Sequence, residues 1–127
     1  LVTSVDPFEN IPDYPDLEGV LDRIRSLTRS ILIPARTLAR EAGSANAVNV
    51  VMVGAASSFM PMDPCLIEEG IVALFSRKGE KVVKINLEAF RLGRSAATEA
   101  LAASAASAAP VTAGAEAELE AGSGDPA

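Results

Sequence analysis

Asn46-Ala-Val-Asn-Val-Val-Met-Val-Gly-Ala-Ala-Ser-Ser-Phe-Met60 is apolar on nearly every side and carries no charge. Two readings compete for it. Val48 to Val53 is rich in valine, and β-branched runs favour strands. The apolar content then continues through Gly54-Ala55-Ala56, beyond the length of an ordinary strand, which favours a helix. A helix that is hydrophobic all round belongs in a core, with other elements packed around it. Ser44 is the expected cap. Gly54, Ala55 and Ala56 leave so little side chain that a neighbouring element can approach closely.

Upstream of this segment, Pro7, Pro12 and Pro15 push their neighbours to extended conformations, so residues 1–15 read as an arm or linker. Within it, Val2 to Val5 suits a short edge strand. Asp16 is an N-cap, its carboxylate placed to accept from free N–H groups of the first turn. Leu17, Val20, Leu21, Ile24 and Leu27 follow on one helix face. Arg29-Ser-Ile-Leu-Ile33 is short, β-branched and uncharged after its first residue, the pattern of a buried parallel strand. Pro34 ends it and suits the first position of the next helix. That helix has Leu38, Ala39 and Ala42 on its apolar face, and Gly43 as a left-handed C-cap.

Downstream, Asp63 caps a helix with Pro64 at its first position, and Met62 with Ile67 is spaced as a hydrophobic staple. Leu66, Ile67, Ile71, Leu74 and Phe75 form its expected buried face. Ser76-Arg-Lys-Gly79 breaks it. A last helix starts near Glu80, with Val82, Val83, Asn86, Ala89, Phe90 and Gly93 on one side. Lys84 and Glu88 are an i,i+4 pair on another side. After Arg94 the composition falls to Ala, Ser and Thr. Residues 95–109 are expected to extend the helix while burying little, and 110–127 to be a disordered tail.

The bulk numbers narrow the functional classes. With 127 residues there is room for one domain. The formal charge of −6 conceals an asymmetry. Residues 1–22 hold six acids and no base, and 110–127 hold four acids and no base. The body holds all 11 bases against seven acids, a net +4. Five of the arginines, Arg23 to Arg40, lie at helix-like spacings, which favours a wet helix face over an anion site. One cysteine, Cys65, and no histidine exclude an internal disulfide, and zinc or iron–sulfur sites within the chain. No run is long and apolar enough for a membrane span, and the start lacks the basic region of a secretory signal. A cytoplasmic location is expected. The absent initiator Met suggests a start in mid-domain or a processed chain.

The residues offer no catalytic apparatus. No glycine-rich phosphate loop is present, and without His neither a Ser-His-Asp nor a Cys-His arrangement can be built. Adjacent helical residues point about 100° apart, so Glu68 and Glu69 are a solvated face rather than an acid/base pair. Cys65 falls in a first helical turn but has no basic neighbour, and reads as an inert small hydrophobe. Asn49 and Asn86 sit among apolar positions. Each either bonds a local backbone carbonyl or reaches a partner chain or ligand. Phe59, Phe75 and Phe90 read as core. Catalytic, cofactor-binding and metal-binding residues are therefore all expected to be none.

Asn49-Val-Val-Met-Val-Gly-Ala55, Pro61, Ile67-Glu-Glu-Gly-Ile71, Asn86-Leu-Glu-Ala-Phe90 and Gly93, in that order and spacing, resemble the C-terminal half of the gamma-type domain of 2-oxoacid:ferredoxin oxidoreductases. Asp13-Tyr-Pro-Asp16, Ile31-Leu-Ile33 and Leu38-Ala-Arg-Glu-Ala-Gly43 resemble most closely the small (beta) subunit type of indolepyruvate oxidoreductases. The likeness covers about residues 11–94.

It implies an α/β fold: the C-terminal half, over residues 16–94, of a three-layer α/β/α Rossmann-like domain, mostly helical in this fragment. It implies a non-catalytic part in the oxidative decarboxylation of 2-oxo acids to acyl-CoA, packed against a large subunit. Thiamine diphosphate and iron–sulfur clusters are then on that partner, CoA is a co-substrate and ferredoxin an indirect partner. No nucleic acid or membrane is involved. The glycine-rich strand-to-helix turn of the family's N-terminal half is absent from this sequence. Two alternatives remain open: a free-standing CoA- or nucleotide-binding or regulatory module using Arg36 and Arg40, and a pyruvate or 2-oxoglutarate oxidoreductase gamma subunit.

Overall fold

The computed structural model describes the backbone of residues 1–9, 12–27 and 29–123, and side chains as far as residue 104. Two three-residue strands, β1 (Val2–Ser4) and β2 (Ile31–Ile33), pair in parallel with Val2 opposite Ile31. Between them lies α1 (Leu17–Arg25), and after them come α2 (Ala35–Ala42), α3 (Val48–Ser57), α4 (Pro64–Phe75) and α5 (Glu80–Ser123). The molecule is mostly helical with a small parallel sheet. The residues 124–127 of the expected tail lie outside the described residues, as do the side chains from 105 onward.

Local chemistry sets most element ends. The Asp16 carboxylate accepts from the Gly19 N–H at 3.1 Å and starts α1. Asp63 accepts from the Cys65 N–H at 2.9 Å, with Pro64 opening α4. Gly43, at φ 119°, closes α2 in the left-handed region. Gly79, at φ 104°, ends the single 3₁₀ turn Ser76–Lys78 that separates α4 from α5. Two expected helix starts differ in detail. Pro34 is the N-cap of α2 rather than its first residue. Ser44 caps a 3₁₀ turn, Ala45–Ala47, which then runs into α3.

The core forms where α3 and α5 cross under the sheet. Ile31, Ile33, Ala35, Ala39, Ala47, Val51, Ala55, Ala89 and Ala97 bury one another, and Phe90 is fully buried. Ala97 carries the core into the start of the Ala-rich extension, whose residues 101–104 are exposed. The crossing is made by glycine. A Cβ on Gly54 would collide with the Phe90 carbonyl, and one on Gly93 with the Val51 carbonyl. The two backbones therefore touch directly. Ser57 locks the contact: its hydroxyl donates to the Gly54 carbonyl at 2.6 Å and accepts from Arg94 Nη1 at 3.0 Å.

Burial departs from the sequence expectation at three places. The segment from Asn46 is a helix, but it is not enclosed: Asn49 is exposed, and Val53 is 45% exposed. Of the expected buried face of α4 only Ile71 is buried, while Leu66 and Leu74 are 57% and 71% exposed. Phe59 is half exposed and Phe75 only half-buried, with the Lys78 ammonium 5.8 Å from its ring centre, so Phe90 alone of the three is core. The shared cause is geometric. Apolar periodicity identifies a face that seeks cover, and nothing among the described residues lies over these faces.

Gly93→Ala is expected to destabilise the chain by about 2–4 kcal/mol, because overpacking a backbone contact outweighs the better helix propensity of alanine. At Gly70, where an added Cβ meets nothing, the same exchange is expected to be neutral or stabilising. Urea unfolding followed by circular dichroism reads both. Equal effects at the two sites would show that the crossing is not backbone-tight.

Candidate functional site

The features that ask for a partner are surfaces. In the two-stranded sheet the Ile31 N–H bonds the Leu1 carbonyl at 2.8 Å, and the Val5 N–H bonds the Ile33 carbonyl at 3.0 Å. In a parallel ladder this register turns the backbone groups of Val2 and Ser4 outward on β1, and those of Leu32 outward on β2. Both edges lack a neighbouring strand among the described residues. An isolated pair of strands is marginal in water, and parallel sheets are normally covered on both faces.

A second uncovered surface is a groove of about 450 Å³ between α3 and α4. Val50, Val53, Ile67, Gly70, Leu74 and Phe75 line it. A third hollow, of about 460 Å³, lies at the starting end of β2, where Arg25 and Arg29 meet the exposed Leu27, Phe59 and Leu101. Arg25 is already engaged there, with Asp22 at 2.7 Å and Glu18 at 3.9 Å.

The residues singled out from sequence are partly brought together. Asn49 and Asn86 line one hollow of about 340 Å³, beside Asn46 and Lys78. Asn86 is buried, and its amide donates to the Val82 carbonyl one turn earlier at 2.8 Å, the local arrangement. Asn49 is exposed. Glu68 and Glu69 separate, as adjacent helical residues must. Glu68 takes a two-pronged bond from Arg91, at 2.9 and 3.1 Å, which ties α4 to α5. That hydrogen bond, helped by the Arg91 charge, outweighs burial and holds the Glu68 carboxyl below its ordinary value. The Cys65 thiol is exposed and pushed up, first by its hydrogen bond to Asp63 and then by the Asp63 charge. A raised thiol is the opposite of an activated nucleophile.

Arg36 and Arg40 do not form an open anion site. The place where an anion would meet the first turn of α2 is taken by Asp6, whose Oδ2 accepts from the Arg36 N–H at 2.9 Å and from the Ser4 hydroxyl at 2.8 Å. Burial opposes the Asp6 charge, but these bonds and the Arg36 and Arg40 charges prevail and lower its pKa. Sequence reasoning missed this cap because it joins residues 30 apart. The one signal was Ser4-Val-Asp6 at the end of a strand. The Ser57–Arg94 contact, spanning 37 residues, was equally invisible.

No group of acidic, His or Cys side chains among the described residues has metal-site geometry. No described helix is long and apolar enough to cross a membrane. What remains is an α/β component with unsatisfied sheet edges and apolar faces. Residues 3–96 match the family described as pyruvate ferredoxin/flavodoxin oxidoreductase, and the chain belongs to that family. Over 81 residues it is 36% identical to the indolepyruvate oxidoreductase subunit IorB of Archaeoglobus fulgidus. That alignment takes in 63% of this chain and 40% of the relative, so the chain spans less than half of the relative's length. No solved structure matches it.

Asp6→Asn keeps an acceptor for the Arg36 N–H but removes the charge at the start of α2, and is expected to cost about 0.3–1 kcal/mol, as for loss of an anion at a helix N-terminus. Because the folded pKa of Asp6 lies below its ordinary 3.8, its contribution is complete above the unfolded value and fades as pH falls through the folded one. The variant is therefore expected to match the wild type at low pH and to be weaker near neutrality. Denaturant titrations across the acid range check this; a constant difference at every pH would refute it.

Proposed function

We propose that this chain is a non-catalytic portion of the small subunit of a 2-oxoacid:ferredoxin oxidoreductase, with indolepyruvate or another aryl pyruvate as the 2-oxo acid. The large subunit carries out the oxidative decarboxylation. There the 2-oxo acid loses CO₂, its acyl group passes to CoA, and the two electrons pass to ferredoxin. Thiamine diphosphate and the iron–sulfur clusters are held by that subunit, in the cytoplasm.

The observation that carries the reading is a family match over residues 3–96 that takes in both strands of a sheet with neither edge covered. Such a sheet suits half of a three-layer α/β/α Rossmann-like domain. Further parallel strands would join the outer edge of β1 or β2, and a helical layer would cover the far face. Likeness to an indolepyruvate oxidoreductase subunit of Archaeoglobus fulgidus favours an aryl substrate over pyruvate or 2-oxoglutarate. A free-standing CoA or nucleotide module is disfavoured, because Asp6 occupies the α2 terminus beside Arg36 and Arg40.

Co-expression with the large subunit is expected to recover both chains in one complex, with ferredoxin reduction driven by indolepyruvate more than by pyruvate. Full turnover by a large subunit lacking this chain would remove the reading. Calorimetry of the chain with CoA and with nucleotides is expected to show no heat; salt-dependent binding would revive the module.

A further inference from the structure

Gly70 lies in the middle of α4 with nothing among the described residues to explain it. A mid-helix glycine costs about 1 kcal/mol relative to alanine. Gly54 and Gly93 are required, since neighbouring backbone lies where their side chains would be; at Gly70 an added Cβ meets nothing within 4 Å. The two required glycines mark the place where one helix backbone rests on another. Gly70 presents the same kind of surface, outward.

Apart from the exposed Glu69 beside it, the surroundings of Gly70 are apolar and nearly self-complementary. Leu66, Gly70 and Leu74 recur every fourth residue, one row along a helix. Both leucines are exposed and Gly70 is too. Beside this row runs the groove lined by Val50, Val53 and Ile67. The charges are arranged about the same centre. Asp63, before Leu66, and Arg77, after Leu74, lie equally far from Gly70 along the chain. Both are exposed, with Lys78 beside Arg77.

A two-fold axis through Gly70 would lay α4 antiparallel on its copy. It would set Leu66 against Leu74 of the copy, and the acidic end of each helix against the basic end of the other. Isologous two-fold contacts are the commonest mode of association between identical chains, and this charge order favours a second copy over an unrelated helix. We infer that the α4 face centred on Gly70 is a homodimer interface, in which two copies cross antiparallel, glycine to glycine. This stands apart from the subunit reading: it needs no large subunit, and a small subunit that does not self-associate would sink it alone.

Sedimentation velocity of the full chain over a wide range of concentration tests it. The wild type is expected to show a monomer–dimer equilibrium. Leu74→Glu should weaken it by about thirtyfold or more, as for an interface anchor, with an unchanged circular dichroism spectrum. Gly70→Ala should weaken it by about tenfold while leaving thermal stability of the monomer equal or higher, a split that a purely structural glycine would not give. Arg77→Asp should weaken self-association and Arg77→Lys should not; Asp63 is left in place because it caps α4. A wild type that stays monomeric, a dimer indifferent to Leu74→Glu and Gly70→Ala, or one weakened equally by Arg77→Asp and Arg77→Lys would each overturn the inference.

Discussion

The direct contact of backbones at Gly54 and Gly93 is the constraint on which the rest of the molecule depends. It brings α3 against the fully buried Phe90 on α5 and leaves room for the Ser57–Arg94 contact. It also sets the platform on which Ile31 and Ile33 lie. Because interiors pack without slack, a methyl at either glycine forces the helices apart and opens the core beneath the sheet. A chain with 49% hydrophobic residues, many of them alanine, has few bulky side chains with which to fill such a gap. It stabilises its core by closeness instead.

A second layer of organisation is electrostatic and local. Asp6 joins the end of β1 to the start of α2, and Glu68 with Arg91 joins α4 to α5. These contacts lie at the periphery, where partial exposure and solvent screening limit what each contributes. Their value is geometric: they fix how the peripheral elements sit on the α3–α5 pair. The Asp6 cap also occupies the start of α2, beside Arg36 and Arg40, where an anionic ligand would otherwise meet the helix.

The molecule as described has more apolar surface than its own elements can cover. Membership of a family of 2-oxoacid oxidoreductase components, in a chain that spans less than half of the relative it resembles, gives that surface a rationale. The uncovered features are of two kinds. Sheet edges ask for strands, and the α4 face asks for a helix with a small residue at the crossing. The two proposals assign these demands to different neighbours, so the subunit reading and the dimer reading do not compete for one surface.

Much of this was legible along the chain. Asp16, Ser44, Asp63, Gly43 and Gly79 mark element ends through interactions among near neighbours, which a linear sequence records. The helical nature of α3 followed from the length of its apolar run, and Ile31-Leu-Ile33 from its brevity and branching. The absence of histidine settled, from composition alone, which catalytic arrangements the chain cannot build. Tertiary structure decided what composition and period cannot carry. A period shows which face is apolar but not whether anything lies over it, so Leu66, Leu74, Val53 and Phe59 read as core and are exposed. Sequence likewise does not measure the distance between two helices: the small side chains from Gly54 to Ala56 permit a close approach, but nothing along the chain shows what makes it or separates Gly93 from Gly70. Only the crossing shows that Gly54 and Gly93 are held against backbone while Gly70 faces open space.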